Sequence, residues 1–270
     1  MDERTHREIA YRRHGGHTGM KFVHPGDSHG HSLQVLNALY EYDDFMASVG
    51  SMIDLGTGTG DDLIWWATAT TRDEVPEPLN IRCYGIDQAP APAAIQPYLN
   101  IAYQQGSFEE TIVPHPGGFD VLWCHDAFQY AVNPLQTLSQ WWHMTSTGGM
   151  LVISVPQTIL TQRGQLAYYL DPGSYYHHTM VSLIRMLATA GWDCRAGFFQ
   201  QRSADPWIHA IVYKSSHAPQ DPKTTTWYHL SELALLPESA DLSIHAHGHL
   251  RQQDLILPWV DKSLASLAQL

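Results

Sequence analysis

Positive charge is what this chain has least of. Its 270 residues carry 15 Lys and Arg against 27 Asp and Glu, a formal net charge of -12. A surface that grips nucleic acid needs clustered Lys and Arg to neutralise phosphates, and no basic run occurs, so a nucleic-acid partner is not expected. Cysteine is scarce too: Cys83, Cys124 and Cys194 lie far apart with no CxxC pair, each in or beside an apolar strand-like segment. That is the usage of buried thiols in a reducing compartment. No segment approaches a membrane span, and the charged opening MDERTHREIA is no secretory leader, so a cytoplasmic protein without a membrane partner is expected. With 44% hydrophobic and 16% charged residues, the composition is that of a soluble globular chain long enough to bury a substantial core.

What is present is alternation. From Val49 onward, apolar runs at Ser51 to Leu55, Arg82 to Ile86, Asn100 to Gln104, Phe119 to Cys124 and Met150 to Val155 alternate with helix-like segments. This is the pattern of a parallel sheet covered on both faces. Two further runs, Trp192 to Phe199 and Trp207 to Tyr213, stand close enough to form an antiparallel hairpin at the sheet edge. Helices are expected at Asp61 to Thr70, Pro134 to Met144 and Thr179 to Ala190, the last stopped by Gly191. Three regions result. Residues 1–48 form an N-terminal cap with an apolar helix-like stretch from Ser32 to Met46. Residues 49–215 form the core, with an insertion near 157–178, and residues 216–270 form a C-terminal extension opening on the linker-like SSHAPQDPKTTT.

The stretch MIDLGTGTGDDLIWW reads as a strand, a glycine-rich turn and a helix, a common place to hold a nucleotide. A dinucleotide turn needs Gly-x-Gly-x-x-Gly with a helix N-terminus aimed at a pyrophosphate. Here Asp61 fills the third glycine position and Asp62 follows it. Two carboxylates suit the positive end of a helix dipole but occupy the place of an anion. A ligand without phosphate, carrying a cationic sulfur and an amino group, fits the acids better, and S-adenosylmethionine is that ligand. Gly56, Thr57, Gly58 and Gly60 let the backbone pass close to it, and Asp54 at the strand end is placed to meet an ammonium. The next strand ends CYGIDQ, offering Asp87 to the hydroxyls of a ribose, with Gln88 beside it.

In order and content these segments resemble the class I S-adenosylmethionine-dependent methyltransferases, particularly the small-molecule enzymes of the ubiquinone and menaquinone biosynthesis type. DLGTGTGD resembles their first motif, GID the ribose-binding acid, and FDVLWCHDAFQYAVNPLQTLSQWWHMTSTGGMLVISVP their fourth strand, its helix and the turn into the fifth strand. The resemblance implies a Rossmann-like fold in the α/β class, a seven-stranded, mostly parallel sheet with a terminal antiparallel hairpin, binding S-adenosylmethionine and acting on a small molecule. QQGSFEE falls beside the expected adenine; Ser107 replaces the acid of many relatives, leaving adenine contacts to Phe108 and backbone groups. FQY stands where many relatives have Leu-Glu-His.

Methyl transfer from a sulfonium is an in-line displacement, and alignment with exclusion of water supplies much of the catalysis. For a hydroxyl or amine acceptor a base helps, and CHDAF places His125 and Asp126 at the mouth of the fourth strand. Neutral imidazole, with an unperturbed pKa of about 6.5, is suited to accept a proton; the other reading is that His125 only hydrogen-bonds the cofactor or caps the turn. The aromatic segment LAYYLDPGSYYHH forms either a lid over the substrate or a packed loop. On the first reading Tyr168, Tyr175 and His178 join Tyr130 and Tyr11, the last by family analogy alone, as substrate contacts. The alternating His245, His247 and His249, with His29 and His31 near His24 and Asp27, are either loop histidines or metal ligands. Without the close paired spacing of a zinc motif, no metal site is assigned. A catalytically silent S-adenosylmethionine-binding regulator, or a metal enzyme built on the histidines, are the competing functions.

Overall fold

The computed structural model describes residues 32, 35–37, 39–40, 43–110, 115–156, 174–201, 207–237, 242–244 and 248–249. Among them, β1 (Ser51–Leu55), β2 (Arg82–Asp87), β3 (Ile101–Gln105), β4 (Phe119–His125) and β5 (Thr145–Pro156) pair in parallel. The hairpin of β6 (Trp192–Gln201) and β7 (Trp207–Lys214) follows, with β7 antiparallel to β5. The order is β3-β2-β1-β4-β5-β7-β6. The sheet then continues past the hairpin through two short strands, β8 (Leu242–Ile244) and β9 (Gly248–His249). The seven-stranded core thus matches expectation, but β6 is not its edge, because the C-terminal extension supplies further pairing partners.

Both faces of the sheet are covered, which is why its central strands β1 and β4 are buried almost throughout. On one face Ile53, Leu55, Leu122, Cys124, Leu151 and Ile153 share a core with Leu183, Ile184 and Leu187 of α4 (Met180–Thr189) and Leu138 and Trp141 of α3 (Pro134–Met144). On the other, Met52, Val121, Trp123 and Val152 pack with Leu63, Trp65 and Trp66 of α2 (Asp61–Ala67). Leu36, Leu39 and Met46 join that second core, the last from α1 (Asp43–Ser48), so the described part of the N-terminal cap is built onto the sheet.

Helix ends follow local chemistry. Thr179 accepts from the Ser182 amide at 3.0 Å and Ser182 returns a bond to the Thr179 amide at 2.9 Å, a reciprocal cap that starts α4. Helix α2 stops at Ala67, short of the expected Thr70, because the Thr68 hydroxyl turns back to the Ile64 carbonyl at 2.9 Å and Thr70 then bridges Pro78. Helix α3 has no cap from its own Asn133. Its cap comes from Glu109, whose carboxylate accepts from the Val132 and Asn133 amides, both at 2.9 Å, and from the Thr137 hydroxyl at 3.1 Å. Glu109→Ala leaves those donors to water and is expected to cost about 2 kcal/mol, read as a lower urea midpoint at unchanged slope.

The described part of the extension packs onto the core. Arg185 donates to the Thr225 carbonyl, the Cys194 amide to Leu235 at 3.1 Å and the Gln220 amide to Thr189 at 2.8 Å. Leu230, from α5 (Trp227–Glu232), and Leu235 and Leu236 sit in the α3/α4 core. Residues 216–237 therefore brace α4 and β6.

Candidate active site

The carboxyl ends of β1, β2 and β4 meet around the glycine turn. Asp54, 3% exposed, lies in register between Gly85 of β2 and Trp123 of β4, and its Oδ2 has no hydrogen-bond partner among the described residues. Burial, then the carboxylates of Asp62 and Asp87, push its pKa well above the usual carboxylate range. A buried acid without a donor is costly, and such perturbed groups cluster where a ligand completes them. A cationic group is the partner that suits this position.

The turn itself is tied down from below. The Gly56 and Thr57 amides donate to the Ile86 carbonyl at 2.9 and 3.1 Å, and the Thr57 hydroxyl to the Asp54 carbonyl at 3.1 Å. Gly60 donates to the Thr57 carbonyl at 2.9 Å and leads into α2. Gly56 has φ of 92°, and a Cβ there would lie 2.4 Å from that of Ala127, so this glycine lets the turn lie against the end of β4. The two aspartates beyond the turn have distinct surroundings. Asp61, 5% exposed, accepts from Thr59 at 2.6 Å, whereas Asp62 accepts from Ser32 at 2.8 Å and the Trp123 indole at 2.9 Å, tying the cap to the sheet.

Asp87 accepts from the Gly58 amide at 2.9 Å and the Ala89 amide at 2.8 Å, one bond on each oxygen. Each oxygen keeps a lone pair for a further donor, as two ribose hydroxyls require. Gln88 is exposed, and its carbonyl accepts from Gln105 at 3.1 Å. Tyr103, not singled out by sequence reasoning, donates to Ala89 at 2.6 Å, with its pKa raised to about 12 by burial and then by Asp87 and Asp54. Ser107 accepts from the Glu109 amide at 3.2 Å, and the Phe108 carbonyl accepts from the Trp141 indole at 3.1 Å.

At the end of β4, His125 is half-buried, its ring stacked on Trp123 and 5.0 Å from that of Trp207. Asp126 has φ of 55° and donates its amide to Ser154 at 3.0 Å. Tyr130 lies half-buried in the turn that follows, and Tyr175, 62% exposed, donates its amide to Gln129 at 2.9 Å. Beside His125 in register, Ser154 and His209 form a buried pair at 2.8 Å, a contact across β5 and β7 that no local pattern announced.

His178 belongs elsewhere than expected. It is 1% exposed, its ring stacked on Phe128, so it is a core residue and not an open substrate contact. Burial, then the neighbouring His177, lower its pKa to about 4. A base depressed on folding stays neutral while the unfolded chain takes up protons, so stability falls as pH drops from about 6.5 towards 4, by about 3 kcal/mol in full. His178→Phe is expected to remove that acid dependence, measured by thermal unfolding across the same pH interval.

Tyr11, Tyr168, His24, Asp27, His29, His31, His245 and His247 lie outside the described residues, as does the side chain of His249. Among the described residues no three His, Cys, Asp or Glu are grouped to hold a metal, and no helix is long and apolar enough to cross a membrane.

The methyltransferase-domain family model matches residues 53–153. No curated protein matches the chain. Among solved structures, a protein of Bordetella parapertussis described as a candidate exported protein has TM-score 0.54 at 15% identity, over 78% of this chain and 79% of that one. An O-methyltransferase family protein of Burkholderia thailandensis has TM-score 0.53 at 15% identity, over 68% of this chain and 56% of that one. A protein of Galdieria sulphuraria described as a sarcosine dimethylglycine methyltransferase has TM-score 0.51 at 14% identity, over 68% and 84%. At such identities the likeness is one of fold. The family match from β1 to β5, the strand order and an acid-lined glycine turn together make residues 53–153 a methyltransferase domain that uses S-adenosylmethionine.

Proposed function

We propose that the chain methylates a small-molecule acceptor at oxygen or nitrogen. The observation that carries this is the buried Asp54 carboxylate, whose Oδ2 has no partner among the described residues, beside a glycine turn pressed against the end of β4. S-adenosylmethionine supplies a methyl group on a cationic sulfur, which a nucleophile can displace in line. The chain's part is to hold and to screen. Asp54 receives the cofactor's ammonium, Asp87 its ribose hydroxyls, and Gly56, Thr57, Gly58 and Gly60 give it backbone room. Gln88, Ser107 and Phe108 flank the adenine end.

At the other end, His125 and Asp126 stand where an acceptor's proton would leave, and Trp123 and Trp207 wall that corner against water. Tyr130 and Tyr175 line the acceptor side. A chain with net charge -12 suits a small acceptor better than a polyanion. Two of the fold neighbours are described as an O-methyltransferase family protein and a sarcosine dimethylglycine methyltransferase, which accords with a small acceptor. Three buried, unpaired thiols accord with a cytoplasmic setting. Isothermal titration with S-adenosylmethionine and S-adenosylhomocysteine tests the reading; heat with both is expected, and none with either would overturn it. Mass spectrometry of acceptor mixtures then identifies the methylated product.

A further inference from the structure

Gln129 is a wholly buried amide in a turn between Phe128 and Tyr130. Its Nε2 donates to the Asp126 carboxylate at 2.6 Å and to the Asp126 carbonyl at 3.1 Å. Because both partners are acceptors, the nitrogen must face them and the amide orientation is settled. Its Oε1 is buried and without a partner among the described residues, an unmet acceptor of the kind that a ligand or water satisfies. Its backbone carbonyl takes the amides of Tyr175 at 2.9 Å and Tyr176 at 3.3 Å. One residue therefore grips the exit of β4 with its side chain and the returning segment with its backbone. Ala127, next to Asp126, is the residue that abuts Gly56 of the cofactor turn.

We propose that Gln129 is a positioning residue that presents the Asp126 carboxylate to the acceptor, and that the acceptor is an amine; this rests on the methyl-transfer reading above. A carboxylate oxygen accepts more than one donor, so the bond from Gln129 orients Asp126 without exhausting it. Two acceptor groups in one corner, the Asp126 carboxylate and Gln129 Oε1, match a ligand group carrying more than one N–H. In the reaction the neutral amine's lone pair forms the N–C bond as the C–S bond breaks. The sulfur departs with that electron pair as a neutral thioether, and the surplus N–H proton passes to the Asp126 carboxylate.

The test uses the full chain and two cofactor analogues. Sinefungin carries a protonated amine where the transferring methyl stands, and S-adenosylhomocysteine carries nothing there. Gln129→Leu keeps the volume and loses the hydrogen bonds; Gln129→Glu keeps the shape and adds charge. The affinity ratio of sinefungin to S-adenosylhomocysteine is expected to fall at least fivefold in Gln129→Leu and not to fall in Gln129→Glu. S-adenosylhomocysteine affinity itself should stay within twofold of native. A structural role alone moves both ligands together, so an unchanged ratio in soluble Gln129→Leu, or an equal fall in Gln129→Glu, overturns the positioning role. Turnover by the native chain of phenols but not amines in a size-matched panel, or of neither, overturns the acceptor class. If the native chain binds neither analogue, the cofactor reading fails instead.

Discussion

Asp54→Asn yields a protein that melts at a higher temperature than the native chain at neutral pH and binds S-adenosylmethionine at least tenfold more weakly. Both halves follow from one geometry. Asp54 is 3% exposed, its Oδ2 has no partner among the described residues, and Asp62 and Asp87 add like charge. Burying a charge under those conditions opposes folding, and the neutral amide relieves it by about 1 to 3 kcal/mol. For a chain of this size each kcal/mol moves the midpoint by roughly 2 to 4 °C.

The sign with pH is fixed by the direction of the shift. The folded acid has its pKa raised above the unfolded value of about 3.9, so as pH falls through the folded pKa the native state takes up a proton that the unfolded chain does not yet bind. Native stability therefore rises on mild acidification through this group, and the advantage of Asp54→Asn shrinks towards pH 4. Thermal scans of both proteins from pH 8 to 4 measure it. With the cofactor's ammonium in place the carboxylate gains its missing partner. A hydrogen bond to a charged group contributes about 1.5 to 3 kcal/mol, which sets the expected tenfold or greater loss in affinity. An asparagine variant that binds S-adenosylmethionine as tightly as native would remove Asp54 from the cofactor site.

Gly56→Ala is the second large effect, and its sign is opposite for stability. At φ of 92° a side chain is strained by about 1 to 2 kcal/mol. The new methyl would also sit 2.4 Å from the Ala127 Cβ, which forces the turn and the end of β4 apart. Overpacking of that kind costs a further ~1 to 3 kcal/mol. The separation falls between Asp54 and Asp126, so cofactor affinity and melting temperature should both drop. Gly117→Ala is the control. Gly117 has φ of 85° but nothing within 4 Å of its Cβ position, so that variant should show the conformational cost with cofactor affinity intact. Equal effects of the two variants would mean that contact with Ala127 is unimportant.

How far the site could be read in advance differs from residue to residue. Asp54, Asp87 and the glycines lie within two short stretches whose spacing states their chemistry, and the structure brings them together at adjacent strand ends. Gln129 was passed over because a single polar residue in AFQY carries no periodic signal; its partners in Tyr175 and Tyr176 arrive from far along the chain. Glu109 looked like one acid among several, and only the fold places it over the bare start of α3. His178 was read as a substrate contact in a lid, but Phe128 stacks on it and it is buried.

By itself the sequence determined where the strands and main helices run, since runs buried on both faces must be apolar, and it determined that the nucleotide turn is acidic and suits a cation. Tertiary structure alone decided which carboxylate is left without a partner, which amide holds Asp126, and that the extension carries the sheet beyond its hairpin. The reason is physical: burial and backbone conformation are set by neighbours in the chain, whereas desolvation, charge coupling and hydrogen-bond partnership depend on which distant segments the sheet order brings within a few ångströms.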